Sequence, residues 1–285
     1  MRFGVYDDDR LALVTDDEVI DITDLVGRDT TGEEGPLQAL IEAGGLDPRL
    51  AEEALASAPR VTGPRWTAPL PCPPKILGAP ANYRAHVAEM SNPNTINEWG
   101  LFLKANSSVI GDQGRVLLPY TDVRTDQEGE LAVIIGRRAR HVSPAEALDY
   151  VFGYTCLLDI STRSSEDRST RKSYDTFTPM GTHVVTKDEV ADPDDLRLRC
   201  WVNSDLRQDA RTSAMIFSVP LLIAYASSVM TLVPGDVIAT GTPDGVGPLS
   251  DGDTITVEIE NVGALTVSVS NAGATPYADR PRIGG

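Results

Sequence analysis

Apolar and polar positions alternate in short runs along this chain, and changes in their period mark out its elements. Near the N-terminus RFGVY, LALV and VIDI read as three short strands within residues 1–24, separated by acidic turns. Between residues 37 and 58 the pattern turns helical, PLQALIEAG and then LAEEALASA, with Gly44 and Gly45 as the break. Pro59, Pro64, Pro69, Pro71, Pro73 and Pro74 crowd the next stretch. Proline fixes φ and removes a backbone donor, so this segment reads as a linker or extended edge. We place a boundary there, with a small N-terminal domain over residues 1–70 and a larger one over residues 71–285.

Beyond the boundary the texture is that of a β protein. KILGA, LFLKA, ELAVIIG, YTCLLDI and LRLRCWVN read as strands, and the β-branched run ELAVIIG as a central one. Gly235-Asp236 and Gly252-Asp253 are turns that each lead into a further β run. NYRAHVAEM has helical potential. Ser143-Pro144-Ala145-Glu146 has the form of a capping box opening a helix over AEALDYV. The uncharged stretch from Thr212 to Gly235 is long enough for a membrane span. Pro220 and a run of Ser and Thr interrupt it, so it reads as a buried helix opening near Ser218 and Pro220. The fold class is mostly β with a few helices, α+β.

Composition narrows the function classes. Among 285 residues, 42 acidic and 25 basic side chains give a net charge of −17. Such a chain repels phosphate backbones and anionic membranes, which argues against nucleic acid and membrane as partners. An apolar fraction of 41% fills a sizeable core and excludes a disordered chain. Three widely spaced cysteines, Cys72, Cys156 and Cys200, make no disulfide framework or zinc knuckle. The opening MRFGVYDDDR has no apolar signal core, so the expectation is a reduced, cytoplasmic protein.

Several groups could carry chemistry. Glu128 and Glu130 flank Gly129 at the head of a strand, and residues two apart share a face. Asp159 ends the strand YTCLLD. Three carboxylates on neighbouring strands would make a hard oxygen site for Mg²⁺, Mn²⁺ or Ca²⁺. A solvated strand end plus a turn aspartate fits the same letters. His86 and Glu89, three apart in a helical stretch, could form a dyad in which the carboxylate orients an imidazole as general base. An incidental surface pair has the same spacing. His141 falls in a loop and His183 in a turn. Lys104, Arg163 and Lys172 are candidates to neutralise an anionic substrate, or are ordinary surface charges. Thr240-Gly241-Thr242-Pro243, with Gly245 and Gly247, forms a Gly-rich turn whose amides and hydroxyls could hold a carboxylate, or a plain hairpin turn.

Taken together and in order, these strings resemble the fumarylacetoacetate hydrolase family. The matching motifs are NYRAHVAEM, LFLKANSSVIG, DQEGELAVIIGRRARHVSPAEALDYVFGYTCLLDISTR, KSYDTFTPMG, VNSDLRQ and PGDVIATGTPDGVG, running from about Lys75 to near the C-terminus. The first 70 residues match, more loosely, the small β domain of many bacterial members.

The resemblance implies a mixed β-sandwich or roll, paired as a homodimer, with one Mg²⁺ or Mn²⁺ (or Ca²⁺) held by Glu128, Glu130 and Asp159. It implies a catalytic dyad at His86 and Glu89 and a catalytic Lys172. It implies substrate contacts from Tyr83, Lys104, Arg163, Glu166, Gln208, Thr240, Gly241 and Thr242. The substrate would be a small anionic 2-oxo or β-diketo acid of aromatic catabolism, an acylpyruvate or a relative of it, cleaved at a carbon–carbon bond. Decarboxylation, tautomerisation or hydration could use the same site, and an inert binding protein could use the same scaffold. Two departures stand out. Members often read D-x-[ST]-A-R-D-x-Q where this chain has Asp159 to Glu166, so Glu166 replaces an oxyanion-donating Gln, and an ionised carboxylate cannot donate. Pro80-Ala81-Asn82-Tyr83 stands where Gly-Arg-Asn-Tyr is common, so a substrate-facing Arg is missing.

Overall fold

The run Gly129–Ile135 is buried over its whole length because both of its faces are covered. It sits inside a nine-stranded sheet whose order is Val19–Asp21, Arg10–Val14, Arg2–Tyr6, His183–Thr186, Val151–Leu158, Gly129–Ile135, Val237–Ala239, Ile76–Gly78 and Phe102–Lys104. All neighbours are antiparallel except the pair Val237–Ala239 and Ile76–Gly78. The computed structural model describes residues 1–26, 35–90 and 93–281.

Strand alternation assigns the two faces. Leu131, Val133 and Ile135 turn toward a five-stranded sheet and join Leu198, Cys200, Val257 and Leu265 in one core. Ala132 and Ile134 turn the other way and pack with Phe3, Val5, Leu37 and Ile41. The first three strands therefore extend the large sheet, through the pairing of Arg2–Tyr6 with His183–Thr186. The mostly β, mixed α+β class expected from the sequence is the one observed, with further sheets of three and two strands beside the two large ones.

The helix expected near Ser218 spans Val219–Val229 and is buried through Val219, Leu222, Ile223 and Ala226. No helix among the described residues is long and apolar enough to cross a membrane.

Two local expectations are corrected. Ser143 Oγ does reach Glu146 Oε2, at 2.6 Å, but only a 3-10 turn over Ala147–Tyr150 follows. The central strand begins at Val151 and leaves no room for an α-helix. His183 opens a strand instead of lying in a turn, because β pairing to Gly4 claims it.

Candidate active site

Glu128 and Glu130 face away from the five-stranded sheet, in phase with Ala132 and Ile134. Gly129 faces toward that sheet, where Gln208 fills the space a side chain would take: Oε1 accepts the Gly129 amide at 2.9 Å. Asp159 follows the neighbouring strand Val151–Leu158, and its amide bonds the Glu128 carbonyl. The three carboxylates are 5%, 2% and 1% exposed, and one oxygen of each lies within 4.8 Å of the others. Burial on this scale needs compensation, which excludes the solvated strand end.

The compensation comes from cations. Lys172 Nζ donates to Glu128 Oε2 and to Asp159 Oδ2, both at 2.7 Å. Lys104 Nζ donates to Asp159 Oδ1 at 2.5 Å and to the Phe177 carbonyl at 2.9 Å. Arg163 bridges Glu128 Oε1 at 2.8 Å and Asp126 Oδ2 at 2.6 Å. Among the described residues Glu130 receives only the Gly241 amide, at 2.8 Å.

The electrostatics divide accordingly. Burial works to raise the Glu128 carboxyl, but Lys172 and Arg163 outweigh it and hold it well below the usual range. Burial, then the charges of Asp159 and Glu128, push Glu130 well above that range. Burial pulls Lys104 down, while Asp159 and Glu128 overcome burial at Lys172 and keep it charged. The trio thus holds one carboxyl that lacks a cationic partner among the described residues. An all-oxygen set with that deficit fits a hard divalent cation.

The helix Arg84–Glu89 covers this cluster. His86 is 5% exposed, and its Nδ1 lies 3.1 Å from Glu89 Oε2. Glu89 also accepts the Gly245 amide through Oε1, which ties the helix to the Gly-rich turn. A cavity of about 210 Å³ is lined by His86, Glu128, Glu130, Asp159, Arg163, Lys172 and Thr242, so these expected residues are brought together.

The remaining expected residues do not line that cavity. Lys104 is buried behind Asp159. Tyr83 is 1% exposed and its hydroxyl has no hydrogen-bond partner among the described residues. Gln208 is fully committed, its Nε2 donating to Thr242 Oγ1 and the Pro243 carbonyl. Thr240 Oγ1 donates to the Leu131 carbonyl, and the Gly241 amide serves Glu130. Gly241 has φ +98°, and a Cβ there would come within 2.6 Å of Asn82. Glu166 turns away to Tyr277 Oη and Arg280 Nε, at 2.7 and 2.8 Å.

Sequence reasoning missed Asp126, which holds Arg163. The period-two series Asp126, Glu128, Glu130 could have revealed it. It also missed Trp99, Phe102, Arg168 and Arg171 in the cavity wall.

Fold and site define a class, and comparison with known proteins agrees. The model described as "Fumarylacetoacetate (FAA) hydrolase C-terminal" matches residues 75–270, and the chain belongs to this family. It is 40% identical over 287 residues to the maleylpyruvate hydrolase of Aquipseudomonas alcaligenes, covering 94% of this chain and 99% of that protein. The crystal structure of maleylpyruvate hydrolase from Sphingobium sp. SYK-6, in complex with manganese(II) ion and pyruvate, superposes with a TM-score of 0.85 at 41% identity. That match covers 97% of this chain and 100% of the other. The 4-hydroxyphenylacetate degradation bifunctional isomerase/decarboxylase of Escherichia coli is 44% identical over 65% of this chain and 44% of its own length.

Proposed function

We propose that this protein is a divalent-metal-dependent hydrolase that cleaves a carbon–carbon bond in an acylpyruvate. The observation that carries the reading is the placement of His86, backed by Glu89, and of the Glu128–Glu130–Asp159 trio on one cavity. The near full-length similarity to two maleylpyruvate hydrolases, one of them complexed with manganese and pyruvate, supports it.

In this reading Glu128, Glu130 and Asp159 would hold Mn²⁺ or Mg²⁺, which would supply Lewis acidity to the reaction. Glu89 accepts a hydrogen bond from the Nδ1–H of His86 and fixes the tautomer, leaving Nε2 free to take a proton from water. The resulting hydroxide adds to the acyl carbonyl. Collapse of the adduct breaks the bond to the adjoining methylene carbon, and the electron pair leaves as the enolate of pyruvate. That enolate takes up a proton, so the products are pyruvate and the acid of the acyl group. Lys172 keeps its charge beside the carboxylates and offsets negative charge as it develops. We place the enzyme in the cytoplasm, consistent with three unpaired thiols, and as a homodimer, which sedimentation would test.

The deciding experiment is turnover of acylpyruvates, longer diketo acids and oxaloacetate with Mn²⁺, with Mg²⁺ and with chelator. Chelator-sensitive formation of two acids is expected. Release of CO₂ alone, or enol–keto exchange alone, would move the reading to the chemistry named for the Escherichia coli relative.

A further inference from the structure

Four cations line the cavity, and among the described residues two of them form no ion pair. Arg163 is committed to Asp126 and Glu128, and Lys172 to Glu128 and Asp159. Arg168 and Arg171, on the short helix Arg168–Arg171, have no carboxylate within ion-pair distance among the described residues. The helix is fixed by Asp167, whose side chain accepts the amides of Ser169 and Thr170.

The two side chains are seated differently. Arg168 stacks over the Trp99 ring at 4.3 Å and lies 6.0 Å from the Phe102 centroid. Arg171 has its Nε buried with no hydrogen-bond partner. A buried N–H without a partner is costly, and Arg171 is part of the cavity wall. Burial, with neighbouring guanidiniums, destabilises the charge of both groups, so an arriving anion relieves repulsion already present. In a chain of net charge −17, such a concentration of positive charge outside ion pairs points to an anion beyond the one a cation held by the trio would take.

We propose that Arg168 and Arg171 form the subsite for a second carboxylate, at the acyl end of the substrate, and so select dicarboxylic acylpyruvates over monocarboxylic ones. The inference rests on the hydrolase reading for the name of the substrate, but the subsite can be read without turnover. A planar guanidinium matches a carboxylate in bidentate fashion, and two of them side by side match a terminal carboxylate better than any neutral acyl end. Arg168 and Arg171 are thus specificity-determining residues, apart from the groups that handle bond cleavage.

The test compares kcat/KM for maleylpyruvate, which carries a terminal carboxylate, with that for acetylpyruvate, which ends in a methyl group. The wild type is expected to favour maleylpyruvate about 100-fold or more, mainly through KM. Arg171→Gln and Arg168→Gln are each expected to lower that ratio at least tenfold, whatever happens to the absolute rates. A smaller fall in both variants overturns the proposal. If a Gln variant does not fold, Arg171→Lys replaces it, since losing the fork should still lower the ratio about fivefold; an unchanged ratio counts against the subsite.

Calorimetric titration of the full chain with maleate and with crotonate separates the two readings. If neither acylpyruvate is cleaved, the hydrolase reading falls. The subsite still stands if maleate binds at least tenfold tighter than crotonate and Arg171→Gln removes the difference. A smaller preference for maleate overturns it.

Discussion

Gln208 reaches across from the five-stranded sheet and accepts the amide of Gly129 at 2.9 Å, on the residue that separates the two glutamates of the acid trio. The contact exists because Gly129 has no side chain: a Cβ there would lie 3.2 Å from Gln208 Oε1, from Cys200 Cβ and from Val257 Cγ2. Gln208 therefore bears on the site by fixing its backbone. Gln208→Ala strands a buried N–H, at a cost of about 1–3 kcal/mol. It should also weaken Mn²⁺ binding about tenfold by loosening the glutamates. Urea unfolding and calorimetric Mn²⁺ titration measure the two effects. A stability loss with unchanged Mn²⁺ affinity would remove the positioning role.

The His86–Glu89 pair makes a separate prediction. His86 is not among the carboxylates that would hold the metal, so His86→Ala should lower kcat by about 10²–10⁴-fold while Mn²⁺ affinity stays within a few-fold. Glu89→Gln keeps a hydrogen-bonding side chain beside Nδ1 but loses the charge that stabilises an imidazolium, so a smaller fall is expected. Equal activity of His86→Ala and wild type would exclude His86 as the base.

Most of the fold was legible because strand periodicity and turn chemistry are local signals. ELAVIIG and YTCLLD show as buried runs, and the Gly-Asp turns lead into strands where expected. Glu128 with Glu130, and His86 with Glu89, were legible as pairs because their spacing on a strand or helix fixes a shared face, whereas Asp159 joins the glutamates through pairing of neighbouring strands. Arg168 and Arg171 were not, since DRSTRK has the letters of a solvated turn. Only the tertiary placement of Trp99 and Phe102 turns these arginines into a cavity wall. The fate of Glu166 was equally hidden, because its partners Tyr277 and Arg280 lie more than 100 residues away. The 3-10 turn at Ala147–Tyr150 marks a local helix signal overridden by the strand that follows.

Two buried thiols predict how stability responds to alkali. Burial pushes Cys156 and Cys200 from the usual 9.0 up to about 12. Above pH 9 the unfolded chain releases these protons while the folded chain retains them, so the folded state binds more protons and stability falls as pH rises. Each thiol contributes about 1.4 kcal/mol per pH unit there, so the pair costs about 3 kcal/mol by pH 10. Urea unfolding of the wild type and of the Cys156→Ala/Cys200→Ala variant between pH 8 and 10 should show the wild type losing that much more. Parallel pH profiles would contradict the assignment.

The N-terminal 70 residues, proposed as a small unit of their own, make the last prediction. Their strand Arg2–Tyr6 pairs with His183–Thr186, and Phe3 and Val5 share a core with Ile134, Leu157 and Val237 from the body that carries the site. Phe3 is fully buried and lies 6.1 Å from Phe152, ring centroid to centroid. Phe3→Ala should cost about 3–5 kcal/mol through the lost apolar contact and the void left behind. A unit stable by itself would melt first, leaving Mn²⁺ binding intact to higher denaturant. A unit stable only through the shared core would lose its strands and the Mn²⁺ site in one transition. Coincident midpoints for circular dichroism and Mn²⁺ binding are expected in both wild type and Phe3→Ala, because Phe3 and Val5 belong to the same core as Ile134 and Leu157.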